Sequence, residues 1–178
     1  MIATTTAPRN ILCPIDFTAG SVAAWWRALS FAQASQGLVT LLHVLGQDDA
    51  NAISERGVRG GRPQFLQVAE ARARLGMAVS GDLLRSCLVR LSVESGPVVA
   101  RMIDVAVRHD IDLIVLGVSS LNGDPAASKQ LDAVIAQAPC PVVVVRAPQG
   151  CPDWDAEFDV PGGRHQGALP YAPAAVSP

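Results

Sequence analysis

The chain has 178 residues, which is enough for one domain of about 150 residues with extra length at one end. Hydrophobic residues make up 49% and charged residues 17%, a composition that supplies a packed core and excludes disorder throughout. The formal net charge of -2 provides no basic excess, so nucleic acid is not an expected partner.

The amino-terminal sequence and the apolar runs favour a soluble, cytoplasmic protein. MIATTTAPRN lacks a charged region followed by a long apolar stretch, so no secretion signal is expected. The longest apolar runs, such as 142–145, are far shorter than the ~20 residues that cross a bilayer, and no membrane span is expected. The four cysteines form no CxxC pair, and no histidine stands at zinc-ligand spacing from them, so we interpret them as reduced thiols without a metal.

The first part of the chain predicts two strands joined by a helix. NILCPID (10–16) is a short apolar strand, and LVTLLHVL (38–45) is a second one. Between them, Trp25 and other apolar residues recur at i, i+3 and i+4, which predicts an inward-facing helix stripe. Thr18 is expected to cap this helix, because its hydroxyl can accept a hydrogen bond from the free N–H groups of the first turn.

The remaining sequence continues the alternation of strands and helices. It predicts, in order, a loop at 46–62, a helix at 64–84, a strand at 87–95, a helix at 98–109, a strand at 111–117, a helix at 128–138 and a strand at 141–146. Phe65 and Leu75 are expected on the inward face of the first of these helices. Five strands alternating with four helices predict a doubly wound α/β sheet. Right-handed crossovers bring the loops containing Asp16 and Gly117 to one sheet edge, where such folds bind ligands.

The composition changes at Ala147. The last 32 residues contain six prolines and four glycines and no periodic apolar face. We therefore expect a flexible segment at 1–9, a folded domain at 10–146 and a disordered Pro/Gly-rich tail at 147–178.

Four stretches carry a family resemblance: ILCPIDFTAGS, LVTLLHV, DLIVLG and APCPVVVVR. Their order and spacing over about residues 10–146 resemble UspA-type domains of the universal stress protein family. The resemblance implies a Rossmann-like five-stranded parallel sheet in the order 3-2-1-4-5, with helices on both faces. It also implies a homodimer that acts in stress physiology, in a family whose members are more often regulators than enzymes and of which only some bind ATP.

The phosphate loop of the ATP-binding members is degraded in this chain. Those members carry Gly-x2-Gly-x9-Gly-Ser/Thr after the fourth strand, where small residues let backbone N–H groups approach the phosphates. Here the first glycine is Gly117, but Ser120 replaces the second, and the final Gly-Ser/Thr pair aligns with Ser128 and Lys129. The loop is also shortened, and Asp124 adds a negative charge. Weak or absent binding of ATP or AMP is therefore expected.

Two interpretations stay open for the residues that remain. Ser128 and Lys129 either retain an anion site or are an ordinary N-cap and a solvated lysine. Asp16 either corresponds to the family residue near adenine and ribose or organises the turn after the strand. The candidate nucleotide site comprises Pro14, Ile15, Asp16, Val44, Gly117, Ser128 and Lys129.

The leading hypothesis is a dimeric regulator or interaction module, which would have a protein partner that the sequence does not name. The alternative is a sensor that still loads ATP or AMP. An enzyme ranks last because paired carboxylates and metal ligands are lacking, although weak ATP hydrolysis stays open. The apolar strand Val142–Val145 at the sheet edge is expected to pair antiparallel with a second copy.

Overall fold

The computed structural model describes residues 7–46, 63–79, 87–119 and 125–158. The strands are β1 (Asn10–Pro14), β2 (Leu38–Leu45), β3 (Leu88–Ser95), β4 (Leu113–Val118) and β5 (Val142–Arg146). The helices are α1 (Ala19–Ser35), α2 (Gln64–Met77), α3 (Val98–Arg108), α4 (Pro125–Gln137) and α5 (Trp154–Phe158). Nearly all of the predicted loop at 46–62 lies outside the described residues. The helix predicted over 64–84 ends at Met77, so its predicted extent is wrong at 78–79, and residues 80–84 lie outside the described residues.

All five strands form one parallel sheet in the order β3-β2-β1-β4-β5, which confirms the predicted doubly wound topology. The central strands β1 and β4 are buried over most of their length. Such strands are apolar almost throughout because helices cover both of their faces.

Alternate residues of β1 enter two separate apolar clusters, because successive side chains of a strand point to opposite faces. Ile11 and Cys13 belong to the cluster covered by α1, α2 and α5, together with Trp25 and Leu29. Leu12 belongs to the cluster on the other face, beneath α3 and α4. The helices therefore cover both faces of the sheet, as predicted.

The inward face of α2 differs from the predicted one. Ala71 and Leu75 are buried, whereas Phe65 is 69% exposed, so the inward placement of Phe65 is wrong. At 3.6 residues per turn, Phe65 lies about 120° around the helix from Ala71. Apolar side chains occur on several sides of this helix, and the pattern alone does not distinguish the side that meets β2 and β3.

The structure also corrects the predicted disorder after Ala147, for residues 147–158. Trp154 and Phe158 of α5 are buried in the same cluster as Trp25. Their i, i+4 spacing gives a one-turn helix an apolar face, a signal outweighed by the surrounding proline and glycine. Residues 159–178 lie outside the described part of the chain.

The predicted flexible segment at 1–9 can be compared with the structure only from Ala7 onward, because residues 1–6 lie outside the described part of the chain. Arg9 is held on both sides: its N–H donates to Asp112 Oδ2 at 2.9 Å, and its carbonyl accepts from Leu38 N at 2.7 Å. None of the helices in the described ranges has the length and apolar character needed to cross a membrane.

Candidate functional site

A cavity of about 530 Å³ lies at the carboxyl ends of β1, β2 and β4, on the sheet face covered by α3 and α4. This is the place where the strand order reverses, between β1 and β4, and doubly wound sheets bind ligands at such a point. Its wall includes Pro14, Ile15, Asp16, Thr18, Ser21, His43, Val44, Val98, Met102, Gly117, Ser119, Ser128, Leu131 and Val134.

The cavity brings together all the predicted site residues except Lys129. Pro14, Ile15 and Asp16 come from the end of β1, and Val44, Gly117 and Ser128 come from β2, β4 and α4. Lys129 is exposed and is not part of the described lining. A role for these residues in binding a ligand stays a prediction.

Asp16 organises the turn between β1 and α1. Its Oδ1 accepts hydrogen bonds from Thr18 N at 3.0 Å, from Thr18 Oγ1 at 2.6 Å and from the buried Ser21 Oγ. In return, Asp16 N donates to Ser21 Oγ at 2.8 Å. Within the described residues these contacts all use Oδ1, so Oδ2 is the oxygen through which Asp16 could meet a ligand.

The amino terminus of α1 is capped from elsewhere in the chain. Thr18 occupies the N-cap position, but its hydroxyl donates to Asp16 and does not cap, so the predicted capping role of its side chain is wrong. Ala19 N donates to Asp153 Oδ1 at 2.9 Å, and Gly20 N donates to Ser119 Oγ at 3.0 Å. The loops after β1 and β4 are therefore joined at the start of α1.

Gly117 allows α1 to approach β4 closely. A Cβ built on Gly117 would lie 1.9 Å from the carbonyl oxygen of Gly20, and a Cβ on Gly20 would lie 2.8 Å from the carbonyl carbon of Val118. These distances are far below van der Waals contact between backbone and side chain. The packing of helix on strand thus requires glycine at 117, whether or not a phosphate binds nearby.

The start of α4 differs from the sequence prediction. The helix begins at Pro125, so Ser128 lies within its first turn and is not its N-cap. This corrects the interpretation of Ser128 as an ordinary cap. The loop residues Ser120 and Asp124 lie outside the described residues. In the described wall the charged side chain is that of Asp16, and no lysine or arginine joins it.

His43 is held against the loop that follows β1. Its Nδ1 lies 2.7 Å from Ile15 O, and because a carbonyl oxygen only accepts, this nitrogen carries the proton. The imidazole ring also packs against Phe17 with centroids 4.5 Å apart. His43 also forms part of the cavity wall.

Cys13 immediately precedes Pro14, which lines the cavity, but the Cys13 side chain is buried in the core. Burial, with a smaller effect from the Asp16 charge, raises the pKa of the Cys13 thiol well above its ordinary value. It therefore stays protonated at neutral pH and is a poor nucleophile. In the described ranges no three His, Cys, Asp or Glu side chains group as metal ligands would. Apolar surface with a few hydrogen-bonding groups is typical of a small-molecule binding site.

The topology and the cavity define a doubly wound α/β protein with a cavity at the switch point of its sheet. The model of the universal stress protein family matches residues 8–146. The chain therefore belongs to the universal stress protein family, as the sequence resemblance implies.

Solved structures share this fold. The universal stress protein UspA from Lactobacillus plantarum is 24% identical with a TM-score of 0.55, over 78% of this chain and 97% of that chain. The hypothetical protein MJ0577 is 18% identical with a TM-score of 0.61, over 80% of this chain and 98% of that chain. A universal stress protein in complex with cAMP is 16% identical with a TM-score of 0.54, over 80% and 99% of the two chains. No curated protein matches the chain significantly.

Proposed function

We propose that the protein is a homodimeric, cytoplasmic stress-response regulator or interaction module that binds ATP weakly or not at all. The observation that carries this proposal is the cavity wall. It stands where doubly wound folds bind ligands, yet its described charged residue is an acid, and Lys129 does not line it. The proposal assigns no catalytic reaction to the protein.

The electrostatics of the wall disfavour a triphosphate. The carboxylate of Asp16 repels phosphate oxygens, and no described lining residue supplies a compensating positive charge. Two glycines of the family's phosphate loop are also replaced, by Ser120 and Ser128. Each hydrogen bond to a charged group that is not made forfeits about 1.5–3 kcal/mol of binding energy.

A second candidate is a sensor for a nucleotide or nucleoside with little phosphate charge. The cavity volume of about 530 Å³ lies within the range of small-molecule sites. Asp16 Oδ2 can accept hydrogen bonds from sugar hydroxyls or an exocyclic amine. The structurally similar universal stress protein in complex with cAMP supports a ligand of this class.

Calorimetric titration separates these two candidates. We expect an ATP dissociation constant weaker than about 100 μM, or no detectable binding, with and without Mg²⁺. The loss of two or three hydrogen bonds to the phosphates reduces the binding free energy enough to weaken the affinity to this range. Adenosine is the matched control, since it carries the base and sugar without the phosphates. Tighter binding of adenosine than of ATP would favour the sensor. A low-micromolar ATP constant, or ATP retained at near one per chain after purification, would contradict the proposal.

The dimer is argued from the free edge of the sheet. Among the described strands, β5 pairs only with β4, so its other edge is available to a second chain. Val144 is 38% exposed on this apolar strand. A two-fold axis would let the same strand meet itself antiparallel and satisfy its backbone groups.

Light scattering on the full chain tests the dimer. We expect about twice the mass of one chain for the natural sequence, and the mass of one chain for Val144→Lys, because a lysine desolvated at the interface has no partner. Leu88→Lys is the matched control, since Leu88 is 67% exposed on β3 at the opposite sheet edge. A monomer for the natural sequence, or a dimer that Leu88→Lys alone splits, would contradict the proposed interface.

A further inference from the structure

We propose that residues 147–158, which follow the family domain, form a C-terminal clamp that holds the cavity-lining loop between β1 and α1. Asp153 and Trp154 are its positioning residues. The family model ends at Arg146, so the clamp is an addition to the domain. The inference concerns the order of the loop, and it depends on the proposed function only in treating the cavity as a ligand site.

The first contact fixes the backbone of Phe17. This residue has φ 65°, in the left-handed region that non-glycine residues seldom adopt. Such a conformation persists only where the surroundings determine it. Here Trp154 N donates to Phe17 O at 3.2 Å, and the two rings meet edge to face at 5.8 Å. The clamp therefore stabilises the one residue of the loop that is strained.

The second contact completes the start of α1. Asp153 Oδ1 accepts from Ala19 N at 2.9 Å and so satisfies one of the free N–H groups of the first turn, whereas the Thr18 hydroxyl caps none of them. A carboxylate at this position also interacts favourably with the positive end of the helix dipole. A residue 134 positions away in sequence thus does the work of the local cap.

The clamp is anchored to α2 as well as to the loop. The Trp154 side chain is fully buried, and its Nε1 donates to Arg74 O at 3.0 Å. The Arg74 guanidinium lies 3.7 Å from the centroid of the Phe17 ring and donates to both carboxylate oxygens of Asp155, at 3.0 and 2.6 Å. Phe17 is therefore enclosed between Arg74 and Trp154.

These contacts alternate along the loop with those that form the cavity. Asp16 and Thr18 line the cavity, whereas Phe17 and Ala19 are bound by the clamp. Because neighbouring residues share peptide planes, release of Phe17 and Ala19 would also free Asp16 and Thr18. The clamp thus determines how well this part of the wall is ordered before any ligand arrives.

Hydrogen exchange of the full chain, followed by mass spectrometry, tests the clamp. In Asp153→Ala we expect peptides covering 15–22 to exchange at least about five-fold faster, the effect of losing one helix cap. Glu157→Ala is the matched control, because it removes the same charge from the same segment, and in the described part of the chain the Glu157 side chain makes no hydrogen bond or ion pair with the loop. It should change exchange at 15–22 by less than about two-fold. Peptides of β1 and β4 should be unchanged in both variants.

Asp153→Asn keeps an oxygen that can accept from Ala19 N, so it should restore exchange at 15–22 to within about two-fold of the natural protein. It also supplies the test if Asp153→Ala unfolds as a whole. Unchanged exchange in Asp153→Ala, equal acceleration in Glu157→Ala, or no rescue by asparagine would overturn the clamp. Adenosine added to the natural protein tests the cavity separately. If it protects neither β1 nor β4, the sensor candidate fails while the clamp result stands.

Discussion

Replacing Trp154 with alanine is expected to lower the free energy of unfolding by about 3–5 kcal/mol, the usual range for a large aromatic side chain removed from a core. Trp154 is fully buried, packs against Phe158 with ring centroids 4.6 Å apart, and donates to Arg74 O. For a chain of this size the melting temperature should fall by roughly 10 °C. Urea denaturation followed by circular dichroism measures the change without relying on tryptophan fluorescence.

Phe65→Ala is the control for this experiment. Phe65 is also aromatic but is 69% exposed on α2, so its removal should change stability by no more than about 0.5 kcal/mol. If Trp154→Ala were as mild as Phe65→Ala, residues 147–158 would not belong to the core. The clamp would then have no anchor.

The strands of the sheet could be predicted from the sequence because each one is a short, continuous run of mainly apolar residues. β4 is apolar over nearly its whole length, and only a strand covered on both faces is expected to have that composition. α5 was not predicted because its signal is two aromatic residues, Trp154 and Phe158, inside a segment whose proline and glycine content indicates disorder. Their burial depends on Phe17 and Trp26, far away in sequence, which composition cannot reveal.

The candidate site was predictable where it is built from strand ends. Asp16 follows β1 and Gly117 lies near the end of β4, and a parallel sheet necessarily brings those strand ends together. Met102 and Leu131 were not found, because helix residues that face a cavity have the same pattern as those that face the core. Ser119 was also not identified. Its role in capping Gly20 depends on how closely α1 approaches β4.

Gly117→Ala is expected to destabilise the protein by about 3 kcal/mol in the absence of any ligand, at the upper end of the usual effect of overpacking a core. The new Cβ would lie 1.9 Å from Gly20 O and 2.9 Å from Ser21 N. Because these are backbone atoms, no change of rotamer relieves the contact, and α1 must move away from β4. Urea denaturation of the natural protein and the variant measures this loss.

Gly76→Ala is the control, and it is expected to change the stability in the opposite direction. Gly76 lies in α2, and a Cβ there would meet nothing within 4 Å, so alanine should stabilise the protein by about 0.5–1 kcal/mol through its higher helix propensity. Comparing Gly117→Ala with Gly76→Ala distinguishes two explanations for the glycine at 117. If Gly117→Ala matched the natural protein in stability and lost only nucleotide binding, the phosphate approach would explain the residue. A loss of stability without ligand, beside a gain at Gly76, assigns Gly117 to the contact between α1 and β4. The first glycine of the family's phosphate loop would then be explained in this chain by packing alone, consistent with weak ATP binding.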